Sequence, residues 1–354
     1  MVLESNKILF DILKNKTTSP PFIANIIVDA KCNLNCEYCR FHSPFNWRKS
    51  HLGVTPFSML KKVISDLDEL GLKYVNIGSR GDPWLYPHII EAIDLIEQKK
   101  MKLTISTNLA FKKAQIRNAF GKADTLHINF SCADESLYRK VQGPFDSSSY
   151  GHLIENLNYY SALYNKTKKP GLVIVYVITR NNYAFIEKML DLLRGFSIKH
   201  INFKFMEPTR LTKKLLLKTK EALELRRIIK RIKEKTLVID NNLDLIFRAI
   251  EKTGKTGLPI KRCFIPWFNI FINPSGDIAL CCKNSKLTID NVAHASLKTI
   301  WYSKNADKIR LKGKYFFDPE GSFWHDCKPC PFLNENSNIN RAFNILQHIN
   351  KNGN

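Results

Sequence analysis

Residues 32–39 read Cys32-Asn33-Leu34-Asn35-Cys36-Glu37-Tyr38-Cys39, three thiols at the spacing C-x3-C-x2-C directly after an apolar run at 22–28. They are too close in sequence to be ordinary core residues and too numerous for one disulfide. Three soft sulfur ligands from one short loop suit three irons of a cubic iron-sulfur cluster, leaving the fourth iron without a protein ligand and open to chemistry. Zinc is the competing occupant, since it takes four Cys or His ligands and His42 lies shortly after Cys39.

A second set of thiols comes late in the chain, as Cys263-x12-Gly276-x4-Cys281 and, after a gap, Cys327-x2-Cys330. Four thiolates from two segments close a complete site, which describes either a second iron-sulfur cluster or a zinc ribbon. Two of the nine cysteines, Cys132 and Cys282, are left over. A thiol has a weak S–H bond, so each is a candidate catalytic hydrogen-atom donor. The plainer reading is a small apolar residue.

Clustered cysteines without secretory context argue for metal binding in a reducing, cytoplasmic compartment rather than for a disulfide framework. No apolar run approaches the roughly 20 residues of a membrane span. The formal charge of +23 would suit nucleic acid, a membrane surface or a phosphorylated substrate. Its densest run, Lys213 to Lys235, has no interleaved aromatic residue, so it lacks a base-stacking platform and reads as a solvated helix face.

Strands and helices alternate around these residues. Strand-like runs at 22–29, 74–77, 103–106, 126–130, 172–178 and 201–205 are separated by helical patterns such as 55–70 and 88–99. Thr55-Pro56 reads as an N-cap followed by proline at the first helical position. Six β-α units imply a parallel sheet with helices outside, and chemistry in such folds gathers at the C-terminal strand ends. The cysteine loop lies at the first of them. A leading helix is expected within 1–20, a basic helical connector over 207–258, a hairpin turn at 274–277, and a short helix at 342–349 in a polar tail.

The cysteine loop, including the aromatic Tyr38 before its third cysteine, resembles the cluster motif of the radical S-adenosylmethionine (radical SAM) superfamily. The resemblance implies that Cys32, Cys36 and Cys39 hold a [4Fe-4S] cluster. Its fourth iron would chelate S-adenosylmethionine, and reduction would release a 5'-deoxyadenosyl radical. Residues 78–87 look like the family's Gly-Gly-Glu-Pro segment, with Arg80 replacing one glycine and Asp82 the glutamate. Ser106-Thr107-Asn108 is similar to its Thr-Asn-Gly, and Ser131, followed by Asp134 and the Tyr138-x-x-Val141-x-Gly143 helix, matches a further pattern. On this resemblance Tyr38, Gly81, Asp82, Thr107, Asn108 and Ser131 are the cofactor-binding candidates.

Residues 259–335 resemble the SPASM/twitch module, which implies that Cys263, Cys281, Cys327 and Cys330 hold an auxiliary cluster, giving two [4Fe-4S] clusters per chain. The implied fold is α/β: a partial (β/α)6 barrel over 21–206 and a small C-terminal domain of β-hairpin plus helix. An extension at 1–20 and a tail at 336–354 flank them. The resemblance also implies a flavodoxin- or ferredoxin-type electron donor. Two substrate classes follow from it, a small polar aminocyclitol- or sugar-like molecule that is oxidised or epimerised, and a peptide or protein side chain. Only about 20 residues precede the first strand, too few for a leader-recognition domain, so the small molecule is the first expectation.

Overall fold

The structure, a computed structural model, describes residues 2–45, 53–234, 239–253, 262–282, 287–315 and 333–352. After helix α1 (Val2–Lys14) comes strand β1 (Ile23–Ile26), then α2 (Phe57–Glu69), β2 (Tyr74–Ile77), α3 (Ile89–Gln98) and β3 (Lys102–Thr107). Next are α4 (Ala114–Phe120), β4 (Thr125–Asn129), α5 (Glu135–Val141), α6 (Ser149–Thr167), β5 (Gly171–Ile178), α7 (Ile186–Leu193) and β6 (His200–Phe205). The six strands expected from apolar runs are therefore the six observed, paired in parallel in sequence order as the sheet of a partial (β/α)6 barrel. The connector contributes α8 (Thr219–Lys233) and α9 (Leu243–Thr253). Its expected glycine-rich end at 254–258 lies outside the described residues.

Strand alternation divides the sheet into two faces. In β5, Leu172, Ile174, Tyr176 and Ile178 are buried while Val173, Val175 and Val177 are half-buried. The same pattern runs through β3 and β4. The buried set packs with Leu60, Val63 and Leu67 of α2 and Ile93 of α3 into one core beneath the helices. The other set lines the lumen.

Thr55 does not cap α2 as its sequence suggests. Pro56 occupies the N-cap position, and the Thr55 hydroxyl instead donates to the Ile27 carbonyl at 2.9 Å, tying the helix start to the end of β1. A backbone carbonyl left over beyond a short strand needs a donor, and here that demand prevails over the cap.

The late segment holds α10 (Ile265–Phe268), β7 (Asn269–Ile272), β8 (Asp277–Ala279), β9 (Thr288–Asn291), α11 (Leu297–Trp301), α12 (Lys304–Tyr315) and α13 (Leu333–Asn352). The expected hairpin is present as antiparallel β7 and β8. It is not a separate sheet: β7 pairs in parallel with β1, so the order is β6-β5-β4-β3-β2-β1-β7-β8-β9. All four β7 residues are buried, as a strand covered on both faces should be. The tail, expected to hold only a short helix at 342–349, is the 20-residue α13. Its fully buried Phe343 packs with Ile8, Leu9 and Ile12 of α1 and with Phe264 and Trp267. Buried Lys314 donates to Asn15 Oδ1 at 2.7 Å just beyond the C-terminal end of α1, where a cation meets the negative end of the helix dipole.

Candidate cluster and cofactor site

The cysteine loop leaves the C-terminal end of β1 and is held on two sides. Toward α5, Asn35 N donates to Gly143 O and Glu37 N to Val141 O, both at 2.9 Å. Gly143 has φ 49, and a Cβ there would press on Asn35 O at 3.0 Å, so a glycine is what lets the helix end close on the loop. Toward β5, the buried Glu37 carboxylate accepts from Thr179 Oγ1 at 3.2 Å and Asn181 Nδ2 at 2.7 Å. Glu37, Thr179 and Asn181 were not singled out by the sequence. An acid inside a metal motif reads as a spacer until its partners 142 and 144 residues away are known.

The three thiols interact through space. Burial pushes Cys36 well above the usual thiol range, and negative charge on Cys39 and Cys32 raises it further. Burial, reinforced by Asp82, takes Cys32 up to about 12. Cys39 is raised by burial and pulled back by backbone N–H groups of His42 and Phe41, whose nitrogens lie 3.3 and 3.4 Å from its Sγ. Three desolvated thiols with donors already aimed at sulfur are a poor home for uncompensated thiolates and a good one for thiolates bound to cationic iron. Loading such a loop releases protons. Among the described residues no three Cys, His, Asp or Glu side chains are arranged around a single ion. The zinc reading also needed His42, whose Nε2 lies 3.0 Å from the Arg80 carbonyl. Three soft thiols from one loop, with His42 engaged elsewhere, are the donor chemistry of an iron-sulfur cluster.

Three of the cofactor candidates meet beside this loop. Asp82 is fully buried, and burial pushes its carboxyl up to about 6. It accepts from Thr107 Oγ1 at 2.8 Å, Asn108 N at 2.6 Å and Trp84 N at 3.5 Å. Asn108 then turns its amide toward Asn33 Oδ1 at 2.8 Å and Cys32 Sγ at 3.9 Å. The short acid thus joins the ends of β2 and β3 and orients a donor to a thiol. Gly81 lies against the backbone leading into the loop: a Cβ would come within 2.6 Å of Asp29 O and 2.7 Å of Ala30 C. Arg80, where the motif has glycine, lays its guanidinium 5.0 Å from the Phe41 ring centroid.

Ser131 and Tyr38 are brought together differently. Ser131 is fully buried, and its hydroxyl accepts from Val177 N at 2.9 Å and lies 3.2 Å from the Tyr38 hydroxyl. Its backbone is held by Gln142, which accepts from Ser131 N at 2.9 Å, and by Asn182, which donates to Ser131 O at 3.0 Å. In this arrangement Ser131 pins the aromatic residue of the loop to β5. Cys132 is fully buried in the apolar core, its thiol pushed far up by burial. Cys282 is half-buried next to Cys281. Cys263 is buried, with its N–H donating to Gly313 O at 2.9 Å. Cys327 and Cys330 lie outside the described residues.

Comparison with known proteins bears on the family and the fold. A family model described as the radical SAM superfamily matches residues 26–193, and one described as the SPASM iron-sulfur cluster-binding domain matches residues 263–331. Among curated proteins, a UPF0026 protein of Helicobacter pylori (strain ATCC 700392 / 26695) is 23% identical over 49% of this chain and 55% of its own length. The chain thus spans about half the length of the curated relatives it matches. Streptococcus suis SuiB superposes with a TM-score of 0.66 at 19% identity, covering 93% of this chain and 76% of SuiB. The protein anSMEcpe superposes at 0.61 and 13% identity, covering 88% of this chain and 87% of its own. At such identities the two structures speak for the fold, while the two family models, one for each half of the architecture, place the chain in the radical SAM superfamily, with a SPASM domain behind its barrel.

Proposed function

We propose that this radical SAM enzyme modifies a side chain of a peptide or protein. The observation that carries the reading is the shared architecture: SuiB has been solved bound to the precursor peptide SuiA and anSMEcpe with the Cp18Cys peptide, and each superposes on most of this chain. The small polar substrate expected from the sequence rested on the short segment before β1. In the fold, that segment's helix α1 packs on α13 and α10, and the peptide-bound neighbours favour the second of the two expected classes.

In this reading Cys32, Cys36 and Cys39 hold the first cluster. Cys263, Cys281, Cys327 and Cys330 hold a second, and a flavodoxin- or ferredoxin-type protein supplies electrons. When bound, the first cluster and S-adenosylmethionine supply a 5'-deoxyadenosyl radical. The chain's own residues do the rest. Backbone N–H groups and the Asn108 amide stabilise sulfur charge, and the Asp82–Thr107–Asn108 linkage fixes the strand ends beside the loop. Glu37 and Ser131 fasten the loop to β5, holding it still against the substrate.

The test is anaerobic reconstitution followed by incubation with a panel of precursor-type peptides and, in parallel, aminocyclitols and sugars. The reading expects a peptide to accelerate 5'-deoxyadenosine release and to change mass. Acceleration by a small cyclitol or sugar alone would overturn it.

A further inference from the structure

Arg80 stands where the turn after β2 departs from the segment it resembles, a cation at a glycine position. The turn presents it firmly. Ser79 has φ 92, a conformation that residues with a Cβ seldom adopt, and Gly81 on the other side is closed in by the backbone of residues 29–31. The Arg80 side chain is half-buried and makes no hydrogen bond or ion pair with a described residue; its Nε is buried and has no partner among them. The contact it does make is with an aromatic face, its guanidinium carbon lying 5.0 Å from the centroid of the Phe41 ring.

Phe41 and the residue after it are the two that serve the third cysteine. Their backbone nitrogens lie 3.4 and 3.3 Å from Cys39 Sγ. Arg80 engages both residues. Its side chain covers the Phe41 ring, and its own carbonyl, which can only accept, takes the His42 Nε2–H at 3.0 Å. The corner at 39–42 that directs two N–H groups at sulfur is thus held against the β2 turn through a single residue. Cys32 is served separately, from the end of β3, by Asn108 Nδ2 at 3.9 Å.

N–H groups directed at a ligating sulfur, and positive charge near it, both favour the more negative, reduced state of an iron-sulfur cluster and so raise its reduction potential. A cation with no acid paired to it brings its charge unneutralised. We propose that Arg80 is a positioning residue for the first cluster: stacked on Phe41, it keeps the Phe41 and His42 N–H groups on Cys39 and adds a positive charge beside them, raising the potential at which the cluster accepts its electron. The inference rests on the reading that Cys32, Cys36 and Cys39 hold that cluster, and not on the choice between a peptide and a small molecule as substrate.

The experiment uses the full chain, anaerobically reconstituted, poised stepwise with dithionite and redox mediators and frozen for electron paramagnetic resonance. The first cluster is the component whose signal changes when S-adenosylmethionine is added, and its midpoint potential is the readout. Unit charges about 10 Å apart at an effective dielectric constant near 20 change an equilibrium on the order of tenfold. Arg80→Met should therefore shift the one-electron equilibrium about tenfold towards the oxidised cluster, a midpoint lower by about 59 mV. Arg80→Lys, which keeps the charge but loses the planar face, should recover part of the shift. Phe41→Leu leaves both backbone N–H groups in the chain but removes the ring. It should lower the midpoint as well, and Arg80→Met should add less in that background than it does alone. A shift of less than about twofold in Arg80→Met at unchanged iron content would overturn the proposal. So would additive shifts in the double variant, or a shift confined to the other component. Loss of iron from Arg80→Met, with wild-type midpoints in both Arg80→Lys and Phe41→Leu, would also overturn it, by leaving Arg80 a purely structural part. Failure of the cluster reading looks different: the wild type itself then shows no signal that responds to S-adenosylmethionine, and the proposal falls with that reading.

Discussion

Placing the same methyl group on two glycines should have opposite effects, because only one of them faces backbone. At Gly81 a Cβ would lie 2.6 Å from Asp29 O and 2.7 Å from Ala30 C, with Lys31 O closer still. These atoms belong to the chain that delivers Cys32, and backbone cannot rotate away as a flexible side chain can. Overpacking of this kind costs about 1–3 kcal/mol, and three simultaneous backbone contacts put Gly81→Ala near the upper end. The strain must be relieved by shifting residues 29–31, and a displacement of about 1 Å near reacting groups can cost 100-fold in rate. Gly151, by contrast, lies within α6, exposed, with nothing within 4 Å of a built Cβ. There alanine should stabilise by about 0.5–1 kcal/mol, by removing unfolded-chain freedom. Thermal unfolding of both variants, anaerobically reconstituted, measures the first difference, and 5'-deoxyadenosine release with dithionite as reductant measures the second. If Gly81→Ala matches Gly151→Ala in both assays, the loop is not positioned by the β2 turn and the reasoning fails.

Three further outcomes follow. Gln142→Leu leaves the buried Ser131 N–H and Asn129 carbonyl without the partners they have at 2.9 and 3.0 Å. At about 1–3 kcal/mol per orphaned group, it should lose about 2–6 kcal/mol in denaturant unfolding; a loss under about 0.5 kcal/mol would show that those contacts do not matter. Phe343→Ala, emptying a fully buried site that faces Phe264 at 4.9 Å, should cost about 3–5 kcal/mol and expose α1 to proteolysis, whereas unchanged protection would detach α13 from the core. His127, held at about 4 by burial against an ordinary value near 6.5, takes up a proton on unfolding between those values. Wild type should therefore lose stability relative to His127→Gln as pH falls from 6.5 to 4 and parallel it above 7; parallel curves throughout would mean that the imidazole is solvated.

Much of this was legible before the structure. The six parallel strands announced themselves because buried β-branched runs between helical periods have few other readings, and the thiol spacing carries its own chemistry. What could not be read was pairing between distant segments. Nothing in Asn269–Ile272 says that it will dock beside β1 rather than head a separate sheet. Nothing in Glu37 names Thr179 and Asn181 as its partners. Ser131 was recognised by position, but the local sequence cannot tell that its hydroxyl is already shared between Tyr38 and Val177. The final helix is hard to see in the sequence because its apolar face is thin, with Phe343 its fully buried member.

Cys32, Cys36 and Cys39 are proposed to hold the cluster that activates S-adenosylmethionine. The most direct measurement is iron content with 5'-deoxyadenosine release, made on anaerobically reconstituted wild type and on Cys32→Ala/Cys36→Ala/Cys39→Ala. About eight irons are expected in the wild type and about four in the triple variant, one cubic cluster apiece for the two thiol sets, with S-adenosylmethionine cleavage abolished only in the variant. Stoichiometric zinc without iron-sulfur absorption, or cleavage that persists in the triple variant, would contradict it.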